Sequence, residues 1–168
     1  MKIVVVSDTH MPRMAKGLPE RLVKELVTAD LIIHAGDWTQ SDVYDKLVKY
    51  APVEGVAGNN DGDLLANRFG YKKIIKCGTK RFGIVHGHLP NPKRSAVYNA
   101  SNSFTAEEVD VIIFGHSHVP LLKWHNGILL FNPGSTTSKR KQRLYSFGII
   151  HAAEGVLKAR HIYHESKD

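Results

Sequence analysis

A single cysteine, Cys77, stands among the 168 residues, so no intramolecular disulfide forms and no thiolate-rich metal site can be built. Any metal must be held by nitrogen and oxygen, and Cys77 itself reads as a small buried hydrophobe. Long apolar runs are missing too. Ile3-Val4-Val5-Val6 is broken by Ser7-Asp8 before a signal-peptide core or a membrane span is complete. A cytoplasmic protein with no membrane partner is therefore expected. Repeats, low-complexity stretches and linker-like shifts of composition are also lacking, and residues 1–168 read as one domain, long enough to bury a core unaided. Acidic residues are few: 16 Asp and Glu against 23 Lys and Arg give a formal charge of +7. Part of that charge lies in Lys139-Arg140-Lys141-Gln142-Arg143, which would attract phosphate-bearing partners. No aromatic residues are interleaved there as stacking platforms, so a solvated loop is favoured over a nucleic-acid interface.

Ile3–Val6, Leu31–Ile33, Val53–Val56, Ile84–Val85 and Val111–Phe114 are short, mostly β-branched apolar runs and read as buried strands. Between the first three lie Pro19–Val27 and Ser41–Tyr50, whose Leu22, Val23, Leu26 and Val43, Leu47, Val48 recur at helical spacing. Strand, helix, strand, helix, strand implies a parallel core sheet with right-handed crossovers. Beyond residue 70 the pattern turns to paired strands. Asn126-Gly127 between Leu121–Trp124 and Ile128–Phe131 is a type I′ hairpin signal, and Ser146–Ile150 with Val156–Ile162 forms a second hairpin. Thr105-Ala106-Glu107-Glu108 has the form of a capping box with room for one helical turn. Pro92–Asn102 is a further helical segment. Together these elements predict an α/β sandwich.

Functional groups in open parallel sheets gather beyond the carboxyl ends of the strands, and here each apolar run is followed by metal-binding residue types. Val6 leads into Ser7-Asp8-Thr9-His10, Ile33 into His34-Ala35-Gly36-Asp37, and Val56 into Ala57-Gly58-Asn59-Asn60-Asp61. Val85 leads into His86-Gly87-His88, and Phe114 into Gly115-His116-Ser117-His118. Carboxylate, amide and imidazole donors suit Mn, Fe, Co, Ni or Zn better than Ca or Mg, which prefer all-oxygen shells. Glycines at 36, 58, 87 and 115 would let the chain turn tightly beside a metal or phosphate. Any one cluster alone is an ordinary turn or a pair of surface histidines. Five in succession point to a metal centre.

Asp8-x-His10, Gly36-Asp37, Gly58-Asn59, His86 and Gly115-His116-x-His118, in that order, resemble the motifs of the calcineurin-like metallophosphoesterase family. Asn132-Pro133-Gly134-Ser135 is similar to a segment of its small single-domain bacterial and archaeal phosphodiesterase branch. The resemblance implies two stacked mixed β-sheets flanked by helices, an αββα sandwich, holding two divalent transition metal ions, with Mn the first choice. It implies that Asp8, His10, Asp37 and His118 hold one ion, and that Asp37, Asn59, His86 and His116 hold the other. Asp37 would bridge them beside a metal-activated water that attacks a small phosphodiester in line.

The family pattern is departed from in two places. Asn60 stands where many members have a histidine after the Gly-Asn pair, and Gln40 replaces the last Asp of Gly-Asp-x-x-Asp. An amide cannot deliver a proton, so Asn60 is assigned to substrate binding, Asp61 to a supporting role, and His88 is the nearby imidazole left as candidate acid. His34 reads as a packed strand residue or a partner of a ligand, and Arg13 and Arg94 lie in loops that face the site or the solvent. The family also includes a retromer subunit with a degraded metal site that serves in assembly, so a non-catalytic scaffold is the alternative from another class. A nuclease is a third reading, drawn from the charge. Association into a homo-oligomer is left open.

Overall fold

The computed structural model describes residues 1–168. Two five-stranded sheets lie face to face. The first contains β1 (Lys2–Val6), β2 (Leu31–His34), β3 (Val53–Gly55), β9 (Tyr145–Ala153) and β10 (Val156–His164), in the order β10-β9-β1-β2-β3. The second contains β4 (Lys72–Cys77), β5 (Lys80–Val85), β6 (Val111–Ile113), β7 (Leu121–His125) and β8 (Ile128–Asn132), in the order β4-β5-β6-β8-β7. Both are mixed. β1, β2 and β3 run parallel, with β9 and β10 antiparallel beside β1. β5, β6 and β8 run parallel, and β4 and β7 close the edges in antiparallel fashion.

Strand alternation divides the apolar residues among three layers. On β1, Val4 and Val6 point to a core shared with Leu22 and Leu26 of α1 (Glu20–Leu26), Val43 and Leu47 of α2 (Asp42–Leu47) and Leu65 and Phe69 of α3 (Asp63–Phe69). Ile3 and Val5 point the other way, into the space between the sheets, where they meet Phe82, Ile84, Val111, Ile113 and Phe131. The outer face of the second sheet, with Ile112, Phe114 and Leu130, packs on Ala96 and Ala100 of α4 (Ala96–Ser101). The result is the αββα sandwich that the family motifs imply. Cys77 is buried between the sheets. No helix is long and apolar enough to cross a membrane.

The expected strands and helices form, with shorter helices than the periodicity predicts: α1 is one residue shorter at each end, and α2 starts one residue later and stops three residues earlier. Asn126 and Gly127 both adopt positive φ, +49° and +78°, as a type I′ turn requires. The Thr105 turn forms through the Glu108 carboxylate, which accepts from the Thr105 backbone N–H at 2.8 Å. Within Pro92–Asn102 the helix starts only at Ala96, where the Ser95 hydroxyl accepts from the Tyr98 N–H. Two elements were not expected. Along β4, Lys72, Ile74 and Lys76 face outward while Ile75 and Cys77 face the core, so its charged alternation hides it from a search for apolar runs. In α3 only Leu65 and Phe69 are buried, too few to show a period.

Candidate metal centre

Loops from both sheets meet beyond the carboxyl ends of β1, β2, β3, β5 and β6. The loop after β1 runs alongside the loop after β2. Asp8 N–H donates to Gly36 O (2.9 Å), His10 N–H to Asp37 O (3.1 Å) and Met11 N–H to Trp38 O (3.1 Å). Asp8, His10, Asp37, His116 and His118 all have positive φ, between +45° and +68°. Non-glycine residues rarely adopt this conformation, and it clusters where side chains must be aimed at a site. The alternate spacing of Asp8-x-His10 and His116-x-His118 therefore works through left-handed turns, not strand pleating.

Close approach explains two of the glycines. A Cβ on Gly58 would stand 2.2 Å from Asp37 Oδ1, and one on Gly115 would stand 1.8 Å from Ser7 Oγ and 2.7 Å from Asp8 Oδ2. Asp61 ties the β2 and β3 loops together. Its Oδ2 accepts from Asp37 N–H (2.9 Å) and Gly58 N–H (2.7 Å), and its Oδ1 from Thr39 N–H (2.8 Å). The Asn132-Pro133-Gly134-Ser135 segment braces the remaining loops. Asn132 Nδ2 donates to Gly115 O (2.9 Å) and Ser117 Oγ (3.1 Å), Ser135 Oγ to Asp8 O (2.8 Å), and Thr137 Oγ1 to Thr9 O (2.6 Å).

Donor atoms converge in two groups, Asp8, His10 and His118 in one and Asp8, Asp37 and His86 in the other. Their chemistry fits a metal. Asp8 Oδ2 accepts from Ser7 Oγ (2.6 Å) and His116 N–H (3.0 Å), while Oδ1 is buried with no hydrogen-bond donor. Oδ1 instead faces three imidazole nitrogens: Nε2 of His118 at 3.3 Å, of His86 at 3.8 Å and of His10 at 3.9 Å. His86 Nδ1 lies 2.7 Å from Ala35 O, and His118 Nδ1 bonds Ser138 O. A carbonyl only accepts, so both Nδ1 atoms carry a proton and both Nε2 atoms are the ones turned toward the centre, the orientation of metal-binding histidines. Asp37 Oδ2 lies 3.5 Å from His10 Nε2 and 3.4 Å from His86 Nε2, so Asp8 and Asp37 each touch both groups.

Like donors facing one another across a buried space shift their protonation. Burial pushes Asp8 up to about 6. Burial would depress His86, but the carboxylates of Asp8 and Asp37 outweigh it and push it up to about 9. Asp37 also resists burial: His86 and the Asn60 hydrogen bonds hold it well below the usual carboxylate range. Burial lowers His10, His116 and His118, the last to about 4, and the Arg140 guanidinium adds to the effect in all three. His10, His116 and His118 are thus held in the neutral form that ligates cations, whereas His86 has to give up a proton when a metal binds.

The other sequence-predicted residues fall around this core. His116 is half-buried with its ring edge-on to His86 at 5.1 Å, and it belongs to neither donor group. Asn59 is exposed and its side chain makes no hydrogen bond. Asn60 donates to Asp37 instead, from its backbone N–H to Oδ1 (2.9 Å) and from Nδ2 to Oδ2 (2.7 Å). His88 lines a second cavity of ≈ 240 Å³ with Tyr71, Leu89, Pro90 and His86, which joins it to the donor cluster, and its buried Nδ1 has no partner. Burial, then His86 and His116, push it down to about 4. His34 is a packed strand residue: its ring stacks on Trp38 at 3.7 Å, its Nδ1 accepts from Gly36 N–H, and Nε2 meets Thr9 Oγ1. Arg94 turns away over the Tyr98 ring, whereas Arg13 lines the cavity beside His10 and His118. Arg140, read from sequence as part of a solvated basic run, lines that cavity too. Its place two residues after Ser138, which fixes His118, is a relation only the folded loop reveals.

This sandwich and this donor set are those expected of the metallophosphoesterase class, and sequence comparison agrees. The family model described as calcineurin-like phosphoesterase superfamily domain matches residues 1–155, and the chain belongs to that family. It is 37% identical over 142 residues to a protein of Methanocaldococcus jannaschii named a probable metallophosphoesterase, covering 83% of this chain and 70% of the relative. A Methanothermobacter thermautotrophicus protein of the same description is 34% identical over 145 residues, covering 83% and 80%. Among solved structures, an archaeal phosphodiesterase superposes with a TM-score of 0.74 at 22% identity, over 98% of this chain and all of that one. Vps29 of Entamoeba histolytica in complex with zinc gives 0.73 at 24%, over 97% and 99%. These two likenesses show the fold.

Proposed function

We propose that the chain is a phosphodiesterase with a binuclear centre, in which Asp8, His10, Asp37 and His118 hold one divalent transition metal ion and Asp37, Asn59, His86 and His116 the other. Mn is the first choice. The observation that carries this reading is the set of three imidazole Nε2 atoms converging on Asp8 Oδ1, a buried carboxylate oxygen with no hydrogen-bond donor. When bound, the ions supply Lewis acidity to the phosphate oxygens and to the attacking water. The chain's own residues orient and shield. Ala35 O and Ser138 O fix the two histidine tautomers, and Asp61 sets the distance between the Asp37 and Gly58 loops. Asn60 sits in the cavity wall with its Nδ2 donating to Asp37 Oδ2, and the same amide would donate to a phosphate oxygen of the substrate. His88 is neutral at pH 7, so it serves the leaving group by a hydrogen bond from its neutral ring and does not supply a strong acid. Esters with poor leaving groups should react slowly.

Catalysis is favoured over an assembly role because every ligand position of the motif is filled in this chain. The test is hydrolysis of bis(4-nitrophenyl) phosphate by protein stripped of metal and then reloaded with Mn, Ni, Co, Zn or Fe. Turnover that disappears with chelator and returns with metal is expected. No turnover with any of these ions, over the pH range in which the protein stays folded, would favour the scaffold reading.

A further inference from the structure

The cavity that opens on His10 and His118 has a volume of ≈ 210 Å³ and is walled by Arg13, Arg140 and Asn60, with no acidic side chain among its lining. That is about seven times the ~30 Å³ a water molecule takes up in the liquid, room for a tetrahedral anion. Both arginines are tied to the metal centre through the backbone. Arg13 lies in the turn closed by Met14 N–H donating to His10 O at 2.9 Å. Arg140 follows Ser138, whose carbonyl fixes His118, and its φ of +50° is a strained, left-handed conformation. Neither has an ionic partner. Arg21 pairs with Glu25, Arg81 with Asp110, and Arg68 lies over Tyr44, but Arg140 makes only a 3.5 Å contact from Nη1 to His116 O. A simple diester brings one negative charge, which the metal centre takes. The two guanidiniums are then surplus, and their planar forks match the oxygens of a phosphate dianion.

We propose that Arg13 and Arg140 form a second anion seat beside the metal centre, so that the preferred substrates are phosphodiesters carrying a further phosphate group near the scissile one. The inference rests on the phosphodiesterase reading for its substrate class, but the seat itself is a binding site. The test compares kcat/KM for thymidine 5′-(4-nitrophenyl phosphate) and its 3′-phosphorylated counterpart in Mn-loaded protein. Wild type should favour the 3′-phosphorylated ester. Arg13→Gln and Arg140→Gln should each reduce that preference by about tenfold, mostly through KM, the loss of one charge-assisted pair, and Arg140→Lys should restore part of it. Arg143→Gln, with the same change in charge, should leave the preference intact. Equal rates for the two esters in wild type, or a preference that the Arg143 variant lowers as much as the other two, would overturn the proposal. If wild type hydrolyses neither ester, the diesterase reading fails, and calorimetry decides the seat alone. Thymidine 3′,5′-bisphosphate should then bind more tightly than thymidine 5′-monophosphate, by a margin lost in Arg140→Gln. Equal binding would refute the seat.

Discussion

Single atoms decide whether this centre can assemble. A methyl group at position 58 would meet Asp37 Oδ1 at 2.2 Å and the Asp37 backbone N at 2.5 Å, and neither backbone nor a carboxylate held by Asn60 can yield without moving the ligand. Gly58→Ala should therefore keep its circular dichroism spectrum yet lose most of its bound metal; full metal occupancy would show that the loop relaxes. Protonation gives a second test on metal-free protein. The folded chain holds the His86 proton up to a pH of about 9, against ~6.5 for a free imidazole. Its stabilisation is complete below ~6.5 and is lost as the pH climbs toward 9. The melting temperature of chelated protein should fall across that window, and His86→Gln should flatten the fall; a rise across it in the parent would contradict the assigned environment. At this scale the donor residues were legible because each directly follows a strand. Asp61 was legible only as a helper, and Arg140 not at all, since its relation to His118 runs through the Ser138 carbonyl.

Short segments rather than whole strands hold the loops in place. The stretch from Asn132 to Ser138 donates to the backbones of Asp8, Thr9 and Gly115 and accepts from His118, so one irregular segment braces ligand loops from both sheets. Asn132→Ala would leave the Gly115 carbonyl with only the Ser117 N–H as donor, the loss of one hydrogen bond at a cost of roughly 0.5–1.5 kcal/mol. Thermal denaturation should show that loss together with weaker metal binding, because His116 and His118 follow Gly115 directly. A stable variant with unchanged metal affinity would mean the segment is not a brace. Elements with a strong apolar period or a marked turn, such as β1, β2 and the Asn126-Gly127 hairpin, could be read from sequence. β4 and α3 could not. The first is an edge strand whose outward residues include Lys72 and Lys76, and the second buries only one pair of side chains, so tertiary packing and not local pattern defines both.

Across the molecule, the two sheets stack so that the ends of β1, β2 and β3 from one and β5 and β6 from the other deliver their loops to a single edge. Neither sheet holds enough donors alone: Asp8, His10 and Asp37 come from the first, His86, His116 and His118 from the second. Metal binding is thus coupled to the packing of the sheets, and a cation at a hundred times its Kd should stabilise the fold by about 2.7 kcal/mol. The stacking of two sheets was legible only through the family resemblance, because the all-apolar run of β1 marks a strand buried on both faces without showing what covers each one. Asp8 is common to the two donor groups, and Asp37, which lies within 3.5 Å of both His10 and His86, is the proposed bridge and gives the most direct test: metal equivalents bound per chain, measured by elemental analysis of purified wild type and Asp37→Ala after loading with Mn. Two equivalents in wild type and loss of both in the folded variant are predicted. Two full equivalents retained without Asp37, or none bound by wild type, would contradict the binuclear centre.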